Sequence, residues 1–273
     1  MSAVEGSPLR KMPAELVEGT AHYVLRLGEV AHTMNALVGR QVTLRATGVL
    51  SCVRCERRVK KLFGQGYCFP CFQSAPETSE CIVRPELCCA HLGEGRDPAW
   101  ENEHHNTEHV VYLSFTGQVK VGVTRSVQVP TRWIDQGAAS ALVIARTPYR
   151  QLAGLLEVAL KEHFADRTNW RQMLRPLQPA GDELVAARDR MREGVPEELR
   201  TYLDASLVPQ HIRYPVLEHP PKVTSVSFDK LPEVGGTLVG IQGQYLLWRD
   251  GQVLNVRNQS GVHVELIVDG ERS

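Results

Sequence analysis

All seven cysteines lie between Cys52 and Cys89, and four of them form two knuckles, Cys52-x2-Cys55 and Cys68-x2-Cys71, twelve residues apart. Four thiolates at this spacing close a tetrahedral zinc site with bonds of about 2.3 Å. Such a closed site leaves no position for substrate, so its expected role is structural. Arg54, Arg57, Arg58, Lys60 and Lys61 crowd the knuckles, as a solvated face or as phosphate contacts. Downstream, Cys81, Cys88, Cys89, His91, His104, His105 and His109 offer enough donors for a second zinc. The expected set is Cys81, Cys88, His91 and His105. The alternative places these histidines on a wet acidic loop with Glu101, Glu103 and Glu108.

A third group follows: Tyr112, Lys120, Arg132, Glu157 and Asn169. Each has a plainer reading. Tyr112 alternates with Val111 and Leu113 as a packed strand residue does. Glu157 precedes Lys161 by four, the spacing of a helical ion pair that contributes ~0.2–0.5 kcal/mol. Gly154 argues for more, because a helix-interior glycine costs about 1 kcal/mol relative to alanine and marks a close approach to the backbone. Arg146, Arg150, Arg167, Arg171 and Arg175 add a cationic flank, and Trp133 and Trp170 stand beside polar groups as core or as base-stacking residues.

The elements that must position these residues are short. Alternating apolar positions predict strands at Tyr23 to Leu27 and Gln41 to Leu50 after a frayed lead-in over residues 1 to 19. The segment from Cys52 to His109 lacks long periodic runs and depends on metal as its staple. A hairpin follows, Val110 to Phe115 and Val119 to Val123, around Thr116-Gly117-Gln118. Pro130 opens a short helix to Asp135, Ala141 to Arg146 is a strand, and Pro148 opens a helix to about Phe164. Residues 182 to 206 are helical in composition, broken at Gly194-Val195-Pro196. Beyond Pro220-Pro221 come β-runs at Val223 to Phe228, Gly236 to Trp248, Gln252 to Val256 and Val262 to Val268. The expected class is α+β: a zinc-ribbon-like segment, a ββαβα core and a small C-terminal β-barrel or sandwich. The corresponding divisions are 1–50, 51–109, 110–178, 179–221 (a helical linker) and 222–273. With 273 residues and 42% hydrophobic content, a packed core is assured. A formal net charge of +0 excludes global electrostatic steering to DNA or membrane, so any nucleic-acid site is a local patch. No stretch approaches the roughly 18 apolar residues of a membrane span, and Met1 to Met12 hold no cleavage signal; in a reducing compartment an odd cysteine count paired as CxxC argues for metal rather than disulfides. A cytoplasmic location is expected.

The order Tyr112, Lys120-Val121-Gly122-Val123-Thr124-Arg125, Arg132, Glu157, Asn169 resembles the GIY-YIG nuclease core. The resemblance implies that Glu157 holds a divalent cation, Mg2+ or Mn2+. It also implies that Arg132 binds phosphate, Tyr112 or Lys120 assists proton movement, and Asn169 is a downstream polar partner. Lys120 stands where the second Tyr of the family would be. More widely, the chain is similar to a bacterial family known as a domain of unknown function. The similarity rests on the two knuckles, Pro85-Glu86-Leu87-Cys88, Arg96-Asp97-Pro98-x-Trp100, Arg132-Trp133-Ile134-Asp135-Gln136-Gly137-Ala138, Asn169-Trp170-Arg171 and Gly240-Ile241-Gln242-Gly243-Gln244-Tyr245-Leu246. It departs from that pattern near Gly95 and His105, where family members carry Cys. The expected function is zinc-containing nucleic-acid binding, of DNA or RNA, with divalent-metal-dependent endonuclease activity. The alternative is a non-catalytic zinc scaffold for RNA or a protein partner.

Overall fold

Backbone contacts divide the chain into two compact units, residues 1–73 with 213–273, and residues 74–212. The computed structural model describes residues 6–164, 168–269 and 271–272, so Arg167 of the cationic flank and the first five residues lie outside them. The class is α+β, and among the described residues no helix is long and apolar enough to cross a membrane.

In the first unit, strand Gln41–Leu50 pairs antiparallel with both Val262–Val268 and Glu233–Gln242 at the centre of an eight-stranded sheet. Its alternation has a direct cause: Val42 and Leu44 are fully buried while their neighbours are not. The sheet does not close on itself, which corrects the barrel alternative. Two further corrections concern local pairing. The run from Gly236 to Trp248 is two strands, Glu233–Gln242 and Tyr245–Trp248, folded back at Gly243-Gln244. The lead-in is not frayed over residues 7 to 19. Leu9 and Met12 are fully buried, and the Gln244 side chain accepts from the Met12 amide at 2.9 Å and donates to its carbonyl at 3.0 Å.

In the second unit, His109–Phe115 is one of two inner strands of an antiparallel sheet, between Val119–Arg125 and Ser140–Thr147, with Gln210–His211 at the far edge. The hairpin register pairs Phe115 with Val119, as the Gly117 loop predicts. Val111, Leu113, Val121, Leu142 and Ile144 form a core with Leu156 and Leu160 of helix Arg150–Leu160. Helix Gly181–Met191 adds Leu184, Ala187 and Met191 to the same core. Between residues 74 and 109 the chain is a series of short 3-10 turns ending in helix Pro98–His105, which Asp97 caps by accepting from the Trp100 amide at 3.1 Å.

Candidate functional site

Helix Arg150–Leu160 carries two adjacent stripes. Ala153, Leu156 and Leu160 enter the core. Arg150, Gly154, Glu157 and the capping Lys161, at helical spacing, form the second. On the hairpin, Tyr112 pairs across to Gly122, and Lys120 shares that side because strand side chains alternate. Arg132 and Gln136 come from the short helix Thr131–Asp135 and its C-terminal cap. Arg150, Glu157, Lys161, Tyr112, Gly122, Lys120, Arg132 and Gln136 line one cleft of about 390 Å3, whose wall on the 74–109 side is Ile82, Val83 and Pro85.

Gly154 has the close neighbour its position predicted. A Cβ there would stand 2.2 Å from the Glu86 nitrogen and 2.4 Å from the Pro85 carbonyl carbon. The helix therefore accepts the 3-10 turn Pro85–Leu87 directly against its backbone. Arg150 ties the same loop: its Nε and Nη2 donate to the carbonyls of Cys81 and Ile82, each at 3.0 Å.

Tyr112 is fully buried beneath this cleft, and its hydroxyl donates to Gln136 Oε1 at 2.9 Å. Gly122 makes the room, since a Cβ there would lie 2.6 Å from that hydroxyl. Burial raises the phenol above its ordinary value against the opposing charge and hydrogen bond of Arg132, so Tyr112 stays protonated at neutral pH. Glu157 is 9% exposed, with Lys161 Nζ 3.5 Å from its Oε2. Burial raises its carboxyl, Lys161 and Arg150 pull it down, and Glu86 adds to the rise. Lys120, Arg132, Arg150 and Lys161 face this single carboxylate in the cleft. A concave site with four cations to one anion attracts anionic ligands although the chain as a whole is neutral.

Four of the five residues singled out for chemistry thus meet: Tyr112, Lys120, Arg132 and Glu157. Asn169 does not line the cleft; its side chain caps helix Trp170–Met173, accepting from the amides of Arg171 and Gln172 at 3.2 and 3.3 Å. Gln136 and Arg150 complete the site. The signal for Gln136 was its place four residues after Arg132, one helical turn on. Arg150 was visible only as one more cation in a flank.

The metal donors fall into two groups, one in each unit. In the first unit the sulfurs of Cys52, Cys55, Cys68 and Cys71 all lie within 4.8 Å of one another, with Cys55 and Cys68 3.8 Å apart. Two sulfurs on a zinc tetrahedron stand about 3.8 Å apart, so this tetrathiolate cluster is compatible with a structural zinc. Burial opposes ionisation of Cys52, yet the amides of Cys55, Cys68 and Arg54 outweigh it and bring the thiol down to about 6. Arg57, from the basic run, bonds its side chain to Cys55.

In the second unit the donors that converge are Cys81, Cys88, Glu101 and His105, all buried. His91, expected as the fourth, lies outside this group, its ring stacked on Tyr149 with centroids 4.5 Å apart. His104 is turned away too, stacked on Trp100 with Nδ1 2.8 Å from that residue's carbonyl. Helix Pro98–His105 explains the exchange, because it places Glu101 and His105 one turn apart on the same face.

A family model described as "Protein of unknown function (DUF2797)" matches residues 39–264. No curated protein and no solved structure matches this chain.

Proposed function

The chain belongs to that family of unknown function, and from the geometry of the cleft we propose that it is a zinc-containing nucleic-acid-binding protein with a GIY-YIG-like core that cleaves phosphodiesters with a divalent cation. The observation that carries this reading is the convergence of Tyr112, Lys120, Arg132 and Glu157 from three elements into one positive cleft. The antiparallel order of the strands, with His109–Phe115 between its two neighbours, also suits such a core.

The donor set at Glu157 fits a magnesium-like ion, which is commonly held by one or two carboxylates with water and phosphate oxygens completing the shell. When bound, that ion supplies positive charge to the phosphoryl oxygens. The protein's own part is separable. Arg132 presents a planar guanidinium fork for phosphate, while Arg150, its Nε and Nη2 bonded to the loop carbonyls, adds positive charge beside it. Lys120, buried on the strand, adds fixed charge where negative charge develops. Tyr112 keeps its proton and holds Gln136 in place. Lys161 must release Glu157 for a cation to take its place.

A second reading, a non-catalytic scaffold that binds RNA or a protein, is favoured by two observations: Tyr112 is wholly buried and Glu157 is already paired with Lys161. Cleavage and binding of pooled single-stranded, duplex and branched DNA and RNA, with Mg2+ or Mn2+, separate the two. A metal-dependent activity lost in Glu157→Ala, with binding retained, is the expected result. Binding without cleavage in the unaltered protein leaves the scaffold, and absence of binding removes nucleic acid as the ligand.

A further inference from the structure

We propose that Cys81, Cys88, Glu101 and His105 bind a second zinc ion, and that this ion holds the 81–88 loop in place as one wall of the cleft.

The distances point to a missing centre. His105 Nδ1 lies 3.5 Å from Cys88 Sγ, 3.9 Å from Cys81 Sγ and 3.5 Å from Glu101 Oε2. A hydrogen bond from nitrogen to oxygen spans about 2.7–3.2 Å, and a single N–H points at one acceptor, not three. The contact to oxygen is long for a hydrogen bond, and the one N–H can serve only one of the two sulfurs. As edges of a tetrahedron all three distances are ordinary: zinc bonds of about 2.3 Å to sulfur and about 2.0–2.1 Å to nitrogen or oxygen place sulfur about 3.6 Å from nitrogen, and nitrogen about 3.3 Å from oxygen. Burial argues the same way. The four residues are between 1% and 7% exposed, so no solvent layer satisfies a carboxylate and two thiols gathered around one imidazole.

The surroundings are those of a built ligand set. Glu101 offers Oε2 to the cluster, while its Oε1 accepts from the Arg96 amide at 2.9 Å, which fixes the carboxylate's orientation. Gly95 keeps the space open: a Cβ there would stand 2.3 Å from the Glu101 carboxyl carbon. The two cysteines bracket the loop whose Ile82, Val83 and Pro85 line the cleft. Arg150 grips the loop's first turn through the Cys81 and Ile82 carbonyls. A metal fastening both ends of this loop therefore fixes the wall without touching a ligand in the cleft.

Elemental analysis of the full chain, purified with zinc and without chelator, tests the ion. Two zinc ions per chain are expected for the unaltered protein, one for Cys88→Ser and one for Cys55→Ser. One ion in the unaltered protein, or two retained in Cys88→Ser, would overturn the proposal. Should Cys88→Ser fail to fold, Gly95→Ala removes no donor, and it is expected to displace Glu101 and lose one zinc to a chelator at least tenfold faster. Unchanged release kinetics overturn the place given to Glu101. Hydrogen exchange tests the wall: amides from Ile82 to Leu87 are expected to exchange at least tenfold faster in the variant that lacks the second ion, and protection equal to that of the unaltered protein overturns this part. Both readouts are made without nucleic acid, so they succeed or fail apart from the cleavage reading.

Discussion

Glu157 sits where a carboxylate is expensive to ionise. Its folded pKa is raised above 4.5, chiefly by burial, so the unfolded chain gives up this proton first as pH climbs. Stability contributed by the neutral form is fully present below about 4.5 and is lost as pH rises through the raised folded value. Glu157→Gln removes that titration. The variant is expected to be at least as stable as the parent at neutral pH, by urea midpoint, while losing metal-dependent activity; a clear loss of stability would mean that the Lys161 pair outweighs burial. Gly122→Ala acts in the opposite sense. Its Cβ meets the fully buried Tyr112 hydroxyl at 2.6 Å, and overpacking of this kind costs about 1–3 kcal/mol. A lowered denaturant midpoint is expected, and an unchanged one would show that the Tyr112 ring moves freely. At this scale the sequence was informative where residue type dictates chemistry. Paired CxxC knuckles and a Tyr–Lys–Arg–Glu series carry their meaning in composition and order. Glu101 carried none, because one more glutamate in an acidic stretch becomes a donor only when a helix aligns it with His105.

Elements were legible in proportion to their periodicity. Gln41–Leu50 alternates through Val42, Leu44 and Ala46, and its bounds, like those of Val262–Val268, are the expected ones. The helix read from Pro148 to about Phe164 is shorter, Arg150–Leu160, with extended Tyr149 as its cap. Helix Pro98–His105 has no periodic signature although Asp97-Pro98 is a good opening signal, because its apolar residues, Pro98, Ala99 and Trp100, are consecutive and the other five are polar, which leaves no apolar stripe. Gly154 is the case where a local oddity foretold packing between elements. Exchange for alanine in a helix interior ordinarily gains about 1 kcal/mol. Here the added Cβ would strike backbone atoms of Pro85 and Glu86, which cannot swing aside as a side-chain tip does. Gly154→Ala is therefore expected to destabilise the protein by about 1–3 kcal/mol, measured by chemical denaturation. A gain in stability would mean that the Pro85–Leu87 turn is held less firmly than its contact with the helix implies.

At the scale of the whole molecule, pairing partners were the least legible feature. Gln41–Leu50 finds its neighbours in Glu233–Gln242 and Val262–Val268, far along the chain. Alternation tells which face of a strand is buried, not which strand lies beside it, so a single β-rich unit drawn from both chain ends reads in sequence as separate segments. Charge, by contrast, is a whole-chain quantity with a sharp consequence. Because the formal net charge is +0, attraction to nucleic acid must come from local cations. The cleft supplies at most four: Lys120, Arg132, Arg150 and Lys161. Four phosphate contacts give a slope of log affinity against log salt of about −3.6 on duplex DNA and about −2.8 on single strands. Titrations between 50 and 300 mM salt should therefore give slopes no steeper than these, and Arg132→Ala should flatten the slope by about 0.9 on duplex while weakening all sequences alike. A slope near zero would dismiss phosphate contact in the cleft. A slope clearly steeper than about −3.6 on duplex would mean that cations beyond the cleft take part in the binding, with the basic run around the Cys52 and Cys68 knuckles the first place to mutate.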